Sequence, residues 1–279
     1  MKKRIIAIFL AAVLCLSLAA CGPKESVDPQ NPDGPQTGEV KKSSKDTLTI
    51  AVAGDIPSLK GGQNSRTTAS LCWPTLFTLN ETAEGGYEYV IDEYSAAESA
   101  EWSEDQKSLI VTLKDGITMH NGTPLTADDA VFSIAYECTT GNTLNASPNM
   151  PEDGSGVEKV DEKTVKLTFN TVSVDNWNLA AQFRIFDKES FEASNASDLT
   201  VYGADAKNFV SYGPYKLKEF AVGDHVTFEK FDDYFAGNDS TIKTVIVRRI
   251  DESTVAMMEL QTGGVDVIMY PAESDIADV

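Results

Sequence analysis

Residues 102–132, WSEDQKSLIVTLKDGITMHNGTPLTADDAVF, leave this chain few ways to fold. Leu109, Val111 and Leu113 alternate with Ile110, Thr112 and Lys114, which predicts a strand with one apolar face. Asp115-Gly116 and Asn121-Gly122 are turn dipeptides, because glycine takes positive φ at little steric cost. Thr126 then starts a helix. Its hydroxyl can accept from the Asp129 N–H while the Asp129 carboxylate reaches back, as in a capping box. Asp128 and Asp129 both fall in the first turn, where the helix dipole favours negative charge. Val131, Ile134, Ala135 and Cys138 recur at i, i+3, i+4 and i+7 and predict the buried face. Every role in this stretch is structural.

The N-terminus has to be set aside before the fold is read. Lys2, Lys3 and Arg4 form a basic start, and residues 5–18 form an apolar run too short to span a bilayer. The run ends in Leu18-Ala19-Ala20-Cys21, which resembles the lipobox of bacterial lipoproteins. That resemblance implies a signal peptide over 1–20 and lipidation of Cys21. Acyl chains on that cysteine would hold the protein to the outer face of the cytoplasmic membrane. Residues 21–46 are dominated by Pro, Gly, Ser and charge, and bury too little apolar surface to offset their ordering entropy. They read as a flexible stalk.

The formal charge is −20, and loss of the leader's three cations makes it more negative still. Such a chain is repelled by nucleic acid and by anionic lipid surfaces. Cys15 leaves with the leader. Cys72 and Cys138 remain, with no CxxC or metal-ligand spacing. Cys138 lies on the apolar helix face and reads as a buried thiol. A bridge between the two is permitted outside the cell, and sequence leaves it open.

The folded part starts near Thr47 with the apolar run TLTIAVA. Residues 61–68 read as a polar, glycine-opened loop, 69–79 as a packed helix, and Glu84-Gly85-Gly86 as a hairpin turn. A clean alternating strand places Val165, Leu167 and Phe169 inward. Asp187 caps a short helix, and 198–209 reads as irregular. Gly213-Pro214 makes a turn before a strand starting near Tyr215, and further strands follow at 226–230 and 243–250. Ser253 is expected to cap a helix through Thr262, stopped by Gly263-Gly264. Residues 265–270 read as a final buried strand. Trp73, Trp102 and Trp177 read as core residues. Strands and helices mix without a strict βαβ rhythm, so the class is α/β in the mixed, α+β sense.

Four segments carry a resemblance to a known family. They are 102–132; WPTLFTLN at 73–80; SYGPYKLKEFAVGDHVTFEKFDDYF at 211–235; and VIVRRIDESTVAMMELQTGGVDV beginning at Val245. In this order and spacing the chain resembles the extracytoplasmic solute-binding proteins of peptide and nickel ABC importers, family 5, of the oligopeptide and dipeptide-binding type. There are departures. Ser211-Tyr212 stands where the family has Gly-Thr, Phe231-Asp232 where it has Asn-Pro, and Phe235 where it has Trp.

The resemblance implies a type II periplasmic-binding-protein-like fold in which two lobes close on a ligand. It implies a first lobe made of 47–79 and 210–279 around a subdomain inserted at 80–209. The second lobe would be missing, as in an N-terminal fragment. It implies a monomer that captures a small solute, a peptide foremost, and delivers it to an ABC permease and ATPase complex. By position it makes Ser65, Arg66, Thr67, Tyr270, Pro271, Ala272 and Glu273 the solute-binding residues.

Two other classes compete. A surface sensor or adhesin would use the same fold without transport. A secreted hydrolase would need converging His, Cys, Asp or Glu, and the sequence has no HExxH, GxSxG or phosphate loop. His120 and His225 both read as surface residues at turns. No catalytic residue, metal ligand or cofactor is expected.

Overall fold

Alternation along residues 108–113 produces the centre of the first sheet. The computed structural model describes residues 45–60, 63–140 and 149–271, with 63–67 as backbone only. Four antiparallel strands stand in the order β4 (Ala97–Trp102), β5 (Ser108–Leu113), β7 (Thr164–Thr168), β6 (Val157–Lys159). Leu109 pairs with Leu167 and Val111 with Val165, so the apolar side chains share one face and are fully enclosed. Phe169 joins them just past the strand.

Helix α2 (Ala127–Thr140) packs beside this sheet. Its capping box forms as the sequence predicts: Thr126 N–H donates to Asp129 Oδ2 at 3.0 Å, and Asp129 N–H donates to Thr126 Oγ1 at 3.4 Å. The buried face differs from the predicted one. Ile134 and Cys138 are buried, Val131 and Ala135 only half-buried, and Ser133 and Glu137 are also enclosed. The reason is that α2 is wedged between two cores. Ala127, Ala130 and Ile134 belong to the core of the first sheet, while Phe132 and Tyr136 pack into the second.

The second sheet has the order β11 (Val267–Ile268), β1 (Thr47–Val52), β10 (Thr244–Arg249), β9 (His225–Lys230), β8 (Tyr215–Ala221). β1 runs parallel to β10 and β11, with Ile50 opposite Val247 and Val267. β10, β9 and β8 are antiparallel. Val52, Leu217, Val226, Phe228, Val245 and Val247 close on Trp73, Phe186 and Phe209. Trp73 is fully enclosed, edge-on to Phe186 and Phe209 at 5.8 and 5.4 Å. Trp102 and Trp177 are half-buried against the first core.

Helix α1 occupies Gln63–Cys72, so the polar run read as a loop is helical and the helix predicted to reach 79 stops early. Pro74 has no N–H to continue it. Beyond it, Leu76 and Phe77 donate instead to the carbonyls of Phe183 and Ala181. The chain then enters the hairpin of β2 (Thr78–Glu81) and β3 (Tyr87–Val90), turned at Gly85 with φ +80°.

Three short helices follow, α3 (Asn176–Ala181), α4 (Lys188–Ser194) and α5 (Leu199–Tyr202). Asp187 caps α4 by accepting from Ser190 N–H. α5 lies in the stretch read as irregular, where the Asp198 carboxylate accepts from the N–H groups of Thr200 and Val201.

Helix α6 (Ser253–Thr262) is stopped by Gly263 at φ +79°, but Ser253 is its first residue and not its cap. Glu252 holds the cap position and its carbonyl accepts from Val255 and Ala256 N–H. β11 is also shorter than the strand predicted at 265–270, and half exposed. Asp266 is diverted to the Thr49 N–H and the Lys45 ammonium, and Tyr270 turns out of the extended region at φ 55°.

Cys72 and Cys138 are free thiols, both buried. His120 is not a surface residue. Its Nε2–H donates to Gly213 O at 3.0 Å, and its ring stands edge-on to Phe231 at 5.1 Å. Ser211 O accepts from the His120 main-chain N–H. Of the residues that depart from the family pattern, Tyr212 packs against Phe235 and Phe231 against His120. His225 is at a strand start and pairs with Asp224 and Glu219. Among the described residues, no helix is long and apolar enough to cross a membrane.

Candidate ligand-binding site

β10, β1 and β11 are parallel, so their C-terminal ends come out on one edge of the sheet. In sheets with parallel strands that edge is where connections diverge and leave a crevice. A hollow of about 40 Å³ lies there, lined by Ala53, Ile250, Met257, Met269, Tyr270 and Pro271. The ladder runs one residue past each strand: Ile250 N–H donates to Val52 O and Met269 N–H to Ala51 O, both at 2.9 Å. The chain then turns away at Gly54, with φ +81°, and at Tyr270.

An ion-pair clamp fixes the rim. Asp251 accepts from Arg249 Nε at 3.0 and 2.9 Å, from Arg249 Nη2 at 2.8 Å, and from Gly54 N–H at 2.9 Å. Arg249 Nη1 also stands 3.6 Å from Asp55. The Arg249 guanidinium, helped by the Gly54 N–H, holds the Asp251 carboxyl below its usual range. The clamp ties the exits of β1 and β10 together.

Tyr270 is 57% exposed at the mouth of the hollow. A left-handed backbone costs a residue other than glycine roughly 1–2 kcal/mol, and such conformations cluster at ligand sites. The arrangement offers a phenol ring, an apolar floor and main-chain groups of extended segments. Such groups can pair with the backbone of a peptide.

Among the residues singled out from sequence, Tyr270 and Pro271 line this hollow. Ser65, Arg66 and Thr67 lie in α1, not in a loop. Ala272, Glu273 and Cys21 lie outside the described residues. Ala53, Arg249, Asp251 and Met257 went unnoticed in the sequence. The signal for two of them was Arg249-Ile250-Asp251 at a strand end, where a period of two puts Arg and Asp on one side.

Among the described residues one acidic group, Asp129, Asp187 and Glu189, has oxygens close enough for a metal ion. Its first two members are committed elsewhere. Asp129 accepts from Thr126 and from Lys188 N–H, and Asp187 accepts from Ser190 N–H and the Thr123 hydroxyl. They serve as helix caps.

The family model described as bacterial extracellular solute-binding proteins, family 5 Middle, matches residues 93–279. The chain belongs to this family. It is 25% identical to the oligopeptide-binding protein OppA of Bacillus subtilis over 290 aligned positions, covering 95% of this chain and 49% of that one. It is 28% identical to the oligopeptide-binding protein AppA of the same organism, covering 64% of this chain and 33% of the other. Among solved structures, the ABC transporter substrate-binding protein CtaP of Listeria monocytogenes superposes with a TM-score of 0.62 at 31% identity, over 78% of this chain and 43% of that chain. Listeria monocytogenes OppA bound to peptide superposes with a TM-score of 0.65 at 20% identity, over 80% and 46%. The fold is that of the type II periplasmic-binding-protein-like members of family 5, and these relatives are binding proteins, not enzymes. This chain spans half or less of the length of the relatives it matches.

Proposed function

We propose that the chain provides the first lobe of a family 5 receptor that captures peptides outside the cell and delivers them to an ABC permease and ATPase. The observation that carries this reading is the convergence of β1, β10 and β11 on one edge, with Tyr270 and Pro271 at its mouth. Residues 47–79 and 210–279 would form the lobe, with 80–209 inserted. Ser65, Arg66, Thr67, Tyr270, Pro271, Ala272 and Glu273 would face the solute. Cys21 would carry the acyl anchor to the outer face of the cytoplasmic membrane, and the receptor would act as a monomer. Its relatives favour a peptide: OppA and AppA of Bacillus subtilis are oligopeptide-binding proteins, and the Listeria monocytogenes OppA structure holds a peptide. A nickel chelate is the second reading, since NikZ of Campylobacter jejuni, in complex with Ni(L-His), superposes with a TM-score of 0.63.

Native mass spectrometry of the protein purified from its own cells reads the solute directly. A bound peptide supports the assignment, and a metal chelate or another solute overturns it. Thermal melting gives the second measurement: short peptides should raise the midpoint, and Tyr270→Ala should remove most of the rise. Incorporation of labelled fatty acid that survives Cys21→Ser would overturn the anchor.

A further inference from the structure

Away from the strand ends, a groove of about 460 Å³ opens where the end of α1, the start of β2, the 92–95 turn and the 234–239 loop meet. Pro74, Phe77, Leu79, Tyr94, Pro214 and Tyr234 form its apolar walls. Leu79 and Tyr94 are each 50% exposed beside it, an apolar pair that the fold leaves uncovered. Tyr234 is only 9% exposed, lines the groove, and no described residue supplies a hydrogen-bond partner for its hydroxyl. Burial, with Tyr94 and Asp92 nearby, pushes that phenol up to about 12, so it remains a neutral donor.

Among the residues that line the groove, the charged one is acidic. Asp239 lines it, Glu93 adjoins Tyr94, and Asp92 accepts from the hydroxyl of the lining residue Thr78 at 2.7 Å. Desolvation works to raise the Asp92 carboxyl. Hydrogen bonds from Thr78, the Tyr94 N–H, Asn80 and Ser95 outweigh it and hold the group below its usual range, hence ionised. Between Arg66 and Lys107 the sequence has repeated Glu and Asp and no basic residue. Two cations nearby are already held: the Lys114 ammonium is bound to the Asp92 carbonyl and stands 5.7 Å above the Phe235 ring, and the Lys230 ammonium donates to Ser240 O at 3.1 Å.

We propose that this groove docks a basic peptide segment of a protein partner, with one large apolar side chain seated between Leu79 and Tyr94 and a flanking Lys or Arg against Asp92, Glu93 and Asp239. The volume suits one such anchor with its backbone, and a buried apolar anchor ringed by charge complementarity is the usual form of a short-segment contact. A second copy of this chain, at a formal charge of −20, would bring like charge to the rim. This site is separate from the strand-end hollow and does not rest on what that hollow binds.

The test is fluorescence anisotropy of the full chain with a labelled hexapeptide of lysine and leucine, against its glutamate–leucine counterpart. The basic peptide should bind and the acidic one should not. Binding should weaken several-fold between about 50 and about 300 mM salt, as screening shortens the reach of rim charges. Leu79→Ser and Tyr94→Ala should each weaken it roughly tenfold. Both residues are half exposed, so these variants should melt like the parent. Asp239→Asn should weaken it less and flatten the salt dependence, and Tyr270→Ala should leave it unchanged. Equal binding of the acidic peptide overturns the proposal, and so does no binding at all. Loss with Tyr270→Ala but not Tyr94→Ala would move the peptide to the strand-end hollow and equally overturn it. Self-association of the chain that Leu79→Ser abolishes would assign the groove to a second copy.

Discussion

The Lys60 ammonium lies 3.6 Å from the Glu137 carboxylate, and both side chains are almost wholly enclosed, at 3% and 7% exposure. They meet where the two cores adjoin, beside the buried Arg184, whose Nε and Nη1 have no acceptor among the described residues. Burial pushes Glu137 up and Lys60 down, and the attraction of Lys60 and Arg184 for the carboxylate opposes it. One carboxylate therefore serves two cations.

That imbalance gives the first prediction. Glu137→Gln leaves two uncompensated buried cations and should cost roughly 3–5 kcal/mol. Lys60→Met leaves Glu137 with the main-chain N–H and nearby charge of Arg184 and should cost no more than ~1 kcal/mol. Urea denaturation of the two variants decides it, and equal costs would count against a single carboxylate holding both cations.

His120 supplies a pH dependence. Burial depresses its ring from 6.5 to about 4, with the Gly213 carbonyl bond opposing and Lys216 adding. The folded pKa lies below the unfolded one, so the unfolded chain binds the extra proton between them. The stability this group contributes is present above pH 6.5 and lost as pH falls towards 4, about 3 kcal/mol over the window. His120→Gln keeps a donor for Gly213 and cannot titrate. Its stability curve should therefore fall less steeply between those pH values than that of the parent, measured by urea melts at matched pH.

Gly213 is required for space. A Cβ there would lie 2.6 Å from Cys72 C and 2.7 Å from its Cα and O, all main-chain atoms that cannot swing aside. The approach is held by Gly213 N–H donating to Cys72 O at 3.0 Å. Gly213→Ala should destabilise by roughly 3 kcal/mol or more. Gly223→Ala, at a turn with φ +77° and open space around it, should cost about 1 kcal/mol. Thermal midpoints of the two variants should fall in that order.

The thiols give a test of burial. Desolvation pushes Cys138 up to about 11 and Cys72 higher still. Neither should react with a thiol reagent at pH 8 in the folded protein, and both should react in urea. A folded protein in which urea exposes no free thiol at these positions would instead show them bridged.

Local signals were legible where the backbone could satisfy itself nearby. The Thr126–Asp129 capping box, the Asp187 cap, the Gly263 stop and the alternation of Leu109, Val111 and Leu113 all form as read. Readings failed where a distant segment took over a hydrogen bond or a face. Residues 76–77 looked helical until Phe183 and Ala181 supplied their acceptors. His120 looked like a turn residue until Gly213 and Phe231 enclosed it. At the candidate hollow, Tyr270 and Pro271 were singled out by resemblance. Arg249 and Asp251 were missed because their meaning depends on Gly54, which arrives from another strand.

By itself, then, the sequence determined those elements whose signals are local: period-two strands such as Leu109 to Leu113, the Thr126 and Asp187 caps and the glycine turns, set by interactions within a few residues. Only the tertiary structure decided that β1 would lie between β10 and β11, that α2 would be wedged between two cores, and that Gly213 would touch Cys72. Those outcomes depend on contacts between residues far apart in the chain. They are selected by burying apolar faces and pairing main-chain groups across distance, which no local window of sequence contains.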